Sequence, residues 1–222
     1  MIVKTRSCNC ELYDKMRSLI PSNIECLRFD NYREWEDASR FIHDAIDYTD
    51  DILVLVDDDC FIYDWSVVED LVQSVQDGYY AFAGMPDGGS ISHRTNSWVV
   101  ANPFFLVVNC PLIKGMKSKF TRETIDSFLY DGSMKKYIPP FINDNYRNLS
   151  DEIFNGIFYF MAHIGVPYYL ESKLLDDNIS TELMFNGKPF LIHTWYSRNY
   201  LYDDEVKKRI DSYFELAKSK VK

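Results

Sequence analysis

The chain is 222 residues long, 46% hydrophobic and 16% aromatic, with a formal net charge of −10. That is enough apolar material for a full core, and α/β units of this length often form one domain. The acidity excludes a nucleic-acid binder that neutralises phosphates with Lys and Arg, and no basic run appears. Five cysteines, Cys8, Cys10, Cys26, Cys60 and Cys110, are odd in number and scattered, which predicts reduced thiols and a cytoplasmic setting. Cys8 and Cys10 have no second Cys/His pair at zinc-site spacing.

Met1 to Val3 before Lys4 reads as neither signal peptide nor anchor. Ile2 to Thr5 is a strand candidate, Glu11 to Ile20 a helix stopped by Pro21, and Ile24 to Phe29 a second strand. Tyr32 to Tyr48 follows as a helix with Trp35, Ala38, Phe41, Ile42 and Ala45 on one stripe. A short apolar strand, Ile52 to Val56, then runs straight into Asp57, Asp58 and Asp59. This β-α-β-α-β order predicts an α/β fold with a mainly parallel central sheet flanked by helices, and ligands beyond the strands' C-terminal ends.

Trp65 to Gln76 reads as a helix and Tyr79 to Gly84 as a strand, followed by the Gly-rich 84-GMPDGGSISHRTNSW-98. Pro103 to Asn109 is a strand and Arg122 to Tyr130 a helix. Ser150 opens a helix with Asp151 and Glu152 in its first turn. The nearly apolar 153-IFNGIFYFMAHIGVPYYL-170 holds Asn155, His163 and Pro167, so it reads as a buried helix and short strand, with peripheral membrane contact the rarer alternative. A strand at Phe190 to His193 and an amphipathic helix bearing Val206, Ile210, Phe214, Ala217 and Val221 close the chain.

Three adjacent carboxylates at the end of a buried strand repel one another and lose hydration, so a cation or donor network is expected there. Residues two apart in extended chain share a side, which turns Asp57 and Asp59 together into a crevice and Asp58 away. Two hard oxygen ligands suit Mg²⁺ or Mn²⁺. A solvated acidic turn capping the next helix is the plain alternative.

With its α/β N-terminal half, its strand ending in Asp57-Asp58-Asp59 and its mixed elements afterwards, the sequence resembles nucleotide-sugar glycosyltransferases of the GT-A fold. The resemblance implies one Rossmann-like GT-A domain over 1–222, with a nucleotide-sugar half (1–110) and an acceptor and catalytic half (111–222). Asp59 becomes the metal ligand and Asp57 its neighbour, with Mn²⁺ or Mg²⁺ as cofactor. Thr5, Arg6, Asp30, Asp57, Asp58 and Arg198 are implied around the nucleotide. His193 of 191-LIHTWYSR-198 is an implied further metal ligand, with Trp195 and Tyr196 against the sugar. Asp87, Gly88, Gly89, His93 and Arg94 fall where donor sugar and acceptor are bound, a plain surface loop being the alternative.

Inverting transfer needs a base to take the acceptor's proton, for which Asp151 is the first candidate and Glu152 the second; a retaining enzyme would dispense with it. The implied partners are a nucleotide-sugar donor, a UDP-sugar by frequency, and a glycan-type acceptor. A phosphatase of the haloacid-dehalogenase type shares the strand-Asp-x-Asp pattern but expects Thr or Val where Phe61 stands. A non-catalytic carbohydrate-binding protein would use the sixteen tyrosines and four tryptophans but has no need of the acids.

Overall fold

The computed structural model describes residues 1–34, 36–116, 120–142 and 152–221, apart from the side chain of Asp126. Its central sheet has six strands: β1 (Ile2–Arg6), β2 (Cys26–Phe29), β3 (Ile52–Val56), β5 (Tyr80–Pro86), β6 (Ala101–Asn109) and β7 (Val166–Tyr169). They lie in the order β2-β1-β3-β6-β5-β7. Parallel pairings join β1 to β2 and to β3, and β5 to β7, while β6 is antiparallel to both its neighbours. The protein is thus α/β with a mixed, mostly parallel sheet. A second sheet, wholly antiparallel, comprises β4 (Cys60–Ile62), β8 (Glu171–Leu174), β9 (Thr181–Phe185) and β10 (Lys188–His193) in the order β4-β10-β9-β8.

All five residues of β3 are buried, as a central strand covered on both faces requires. Leu53 and Leu55 join one apolar cluster with Phe41 and Ile42 of α2 (Asp37–Asp47), Ile113 of α4 (Cys110–Lys114) and Phe158 of α6 (Asn155–Ile164). Their alternates, Ile52, Val54 and Val56, face Met16 of α1 (Cys10–Ser18) and Val68, Leu71 and Val75 of α3 (Trp65–Asp77). That second cluster also takes Leu183, Phe190 and Leu191, so the two sheets share a core. Ile210, Phe214 and Ala217 of α7 (Asp204–Lys220), at helical spacing, close a third cluster over Phe61 and Ile192.

Several boundaries differ from the sequence expectation. The helix expected from Tyr32 starts at Asp37, whose carboxylate accepts the Glu34 N–H at 3.2 Å and closes a turn ahead of it. Trp35 lies outside the described residues. The second strand starts at Cys26 rather than Ile24. The helix expected over 122–130 is α5 (Arg122–Asp126), stopped where the Ser127 hydroxyl donates to the Thr124 carbonyl at 2.6 Å. The helix expected from Ser150 is described from Asn155, so Glu152 precedes α6 instead of occupying its first turn. Ser150 and Asp151 lie outside the described residues.

The apolar 153–170 stretch forms α6 and β7, and Ile157 to Ala162 are at most 3% exposed, as the buried-helix reading expects. Among the described residues no helix is long and apolar enough to cross a membrane. The described cysteines are free thiols; Cys10 Sγ accepts from Arg28 Nη1 and Nη2 at 3.4 Å.

Candidate metal centre and cleft

The triple acid is the turn by which the chain leaves one sheet for the other. β3 ends at Val56 and β4 begins at Cys60. The Asp57 N–H donates to the Phe104 carbonyl at 2.8 Å, and the Cys60 N–H returns to the Asp57 carbonyl at 3.1 Å. From the far end of the sequence, Thr194 donates its N–H and its hydroxyl to the Asp59 carbonyl, both at 3.1 Å. The β4–β10 ladder sets His193 opposite Cys60, so the turn is held from both sheets.

The three carboxylates then part company. Asp58 accepts from the Ser7 hydroxyl at 2.5 Å. Asp59 Oδ1 lies 3.4 Å from His193 Nε2, both residues being under 5% exposed. The His193 ring stacks on Phe104, 3.8 Å between centroids, and is tilted against Trp195 at 4.1 Å, and its Nδ1 is buried without a partner among the described residues. Asp57 is partly open to the cleft.

Burial pushes the Asp57 carboxyl up to about 6, against the pull of Arg6 and with the push of Asp59. Burial and then Asp59 push Asp58 up to about 8. Burial alone would raise Asp59 as well, but His193 and Ser197 outweigh it and hold the carboxyl below its ordinary range. Such crowding of acids, beside a histidine with an unused ring nitrogen, is an arrangement that could hold a metal ion. Ligand atoms of Asp59, Cys60 and His193 lie within 4.8 Å of one another. Cys60 was not foreseen from sequence, because a single thiol after three acids carries no spacing signal. Its buried Sγ contacts the Phe104 carbonyl at 3.4 Å, and burial holds the thiol well above its ordinary range.

These acids form the floor of a cleft of about 690 Å³. Arg6, at the C-terminal end of β1, lines it, with Nη1 buried and unpartnered among the described residues. Arg198, Trp195 and Tyr196 line the side that follows β10. The last two adopt consecutive left-handed conformations, φ 56° and 60°, which turn Trp195 inward (7% exposed) and Tyr196 outward (55% exposed). Non-glycine residues hold that conformation at a cost, a pattern that concentrates at functional sites. Arg209 of α7 braces the segment, donating to the carbonyls of Thr194 and Trp195.

Arg94 and Glu152 complete the cleft wall and pair at 3.3 Å. Arg94 also lies over the Trp195 ring at 5.6 Å. Behind it, Asp87 is completely buried and accepts from Arg94 Nε and Nη2 at 2.6 and 2.7 Å, from Asn96 at 3.1 Å and from Asn102 at 2.5 Å.

Other residues singled out by sequence stand outside the cleft lining. Thr5 is fully buried in β1. Asp30 is exposed, its carbonyl taken by Arg33 Nε at 3.2 Å. His93 packs edge-on to Trp195 at 5.1 Å, one shell back. Gly88 bridges to Thr95, and a Cβ there would meet the Asn96 carbonyl at 1.8 Å. Gly89 has φ 80°. Both glycines therefore serve the backbone of the Asp87 turn. No protein-family model and no curated protein matches the chain.

Proposed function

We propose that this chain is a metal-dependent glycosyltransferase of the GT-A type, moving a sugar from a nucleotide-diphosphate donor, first a UDP-sugar, to a hydroxyl of a glycan-type acceptor. One observation carries the reading. Asp59 and His193, from opposite ends of the chain, meet on the floor of a large cleft beyond the C-terminal end of β3. Parallel strands β1 to β3 open there, where open α/β sheets take their ligands.

Asp59, Asp57 and His193 are the residues that would hold Mn²⁺ or Mg²⁺. The ion would supply positive charge for the diphosphate as the sugar departs. Arg6 and Arg198 bring guanidinium donors suited to phosphate oxygens. Trp195 and Tyr196 bring aromatic faces suited to the sugar. Glu152 faces the same space and is oriented by Arg94, so it is placed to take the acceptor's proton in an inverting transfer. Asp151, one residue earlier, is its competitor for that role.

The test is a melting-temperature panel with UDP, GDP, CDP and dTDP, with Mn²⁺ and with excess EDTA. The reading expects one nucleotide to stabilise the protein only in the presence of the ion. Equal stabilisation in EDTA would falsify the metal-bridged donor. Anomeric analysis of the product would then separate inversion from retention.

A further inference from the structure

A second pocket, of about 300 Å³, opens at the far edge of the central sheet and shares no lining residue with the acid cleft. Its walls are Tyr80 of β5, Tyr168 of β7, Tyr137 and Phe141 from the chain after α5, Glu171 of β8 and Asn186 from the β9–β10 turn. The Tyr80 and Tyr168 rings meet edge to face, 5.2 Å apart at 74°. Such a pair leaves both faces of the edge ring uncovered by its partner. Phe141 is 38% exposed, and the Tyr168 hydroxyl donates to Asn186 Oδ1 at 3.4 Å.

We infer that this pocket is a carbohydrate-binding site taking one pyranose ring of a glycan. The volume stands at the small end of ligand pockets, right for a single ring with water. Sugar C–H faces are apolar and pack on aromatic rings. Hydroxyls donate and accept, so they satisfy both the Glu171 carboxylate and the Asn186 amide. Proline-rich peptides also favour aromatic grooves, but their carbonyls only accept and would leave Glu171 facing acceptors. The inference stands on the pocket's own lining and survives failure of the glycosyl-transfer reading.

Met184 lines the pocket and gives it a local reporter. Protein carrying ¹³C-methyl methionine is titrated with the methyl glycosides of glucose, galactose, mannose and N-acetylglucosamine, and with maltohexaose and chitohexaose. Met184→Leu identifies the signal. At least one sugar should shift it saturably. Phe141→Ala and Glu171→Ala, both at exposed positions, should weaken that binding tenfold or more, and Asp59→Ala should leave it unchanged. The site assignment is overturned if no sugar moves the Met184 signal, if both pocket variants bind as tightly as the parent, or if only a proline-rich decapeptide produces the shift.

Discussion

Replacing Asp87 by Ala separates a structural role from a ligand-binding one. The side chain is inaccessible to solvent and accepts four hydrogen bonds, two of them from Arg94. Removing one partner of a buried, hydrogen-bonded ion pair costs about 3–5 kcal/mol, because the remaining charge is stranded. Two amide donors lose their acceptor as well, at about 1 kcal/mol each. Arg94 is 25% exposed, so water reaching it offsets part of this. A net loss of about 4 kcal/mol is expected from those opposing contributions. With a urea m-value of about 2 kcal/mol/M, the unfolding midpoint falls by about 2 M. Asp87→Asn should come within about 1 kcal/mol of this, since its amide presents hydrogens to a cation. The assay is urea unfolding followed by circular dichroism in EDTA, which keeps metal linkage out of the comparison. A loss under about 1 kcal/mol at unchanged m would refute the buried-hub reasoning and return Asp87 to the ligand-contacting role its sequence context suggests.

Asp59→Ala should remove the Mn²⁺-dependent nucleotide melting shift while the protein stays folded; a retained shift would mean that the cation sits elsewhere. Cys60→Ala should leave Mn²⁺ affinity within about twofold, because hard cations prefer oxygen to thiol, whereas His193→Ala should weaken it clearly; the reverse ranking in calorimetry would reassign the site to a softer metal. Glu152→Gln should lower kcat by about 10²-fold or more with nucleotide affinity little changed, and near-normal turnover would pass the base role to Asp151. Burial, then the hydrogen bond to Asp44 at 2.7 Å, pushes the Tyr32 phenol up to about 12. Its contribution to stability is therefore complete below the unfolded value near 10 and is lost as pH rises through about 12. Denaturant melts across that window should fall less steeply in Tyr32→Phe than in the parent, and parallel curves would contradict the assignment.

Continuous apolar runs and clean helical stripes were legible: β3, α3, β10 and α7 stand where the pattern put them. β4, β8 and β9 were not: β4 has only three residues, and β8 and β9 mix polar with apolar positions and so form no continuous apolar run. β8 reads Glu-Ser-Lys-Leu, whose place in a sheet comes from its pairing with β9 rather than from composition. Proximity in sequence did not separate Arg94, which lines the cleft, from Asp87, Gly88 and Gly89, which are not among its lining residues. The short glycine turn folds that carboxylate inward beneath the guanidinium. The nearness of His193 to Asp59 was available only through the family resemblance, because nothing local to either residue encodes a ladder between β4 and β10. Asp58's tie to Ser7, 51 residues away, was equally hidden.

The Asp59 carbonyl is gripped by Thr194, 135 residues further on, and that separation has a kinetic meaning. A contact this non-local closes only after a large chain entropy has been overcome, and it depends on β10 being paired first. During synthesis the three acids therefore emerge, and β1 to β3 can associate, long before the histidine exists to join them. Cation binding should consequently appear as a late event in refolding, lagging the recovery of helical signal. A ribosome-bound chain ending before β10 would lack both His193 and the Thr194 grip on Asp59, so a metal site of the kind proposed would stay incomplete until that last strand is in place.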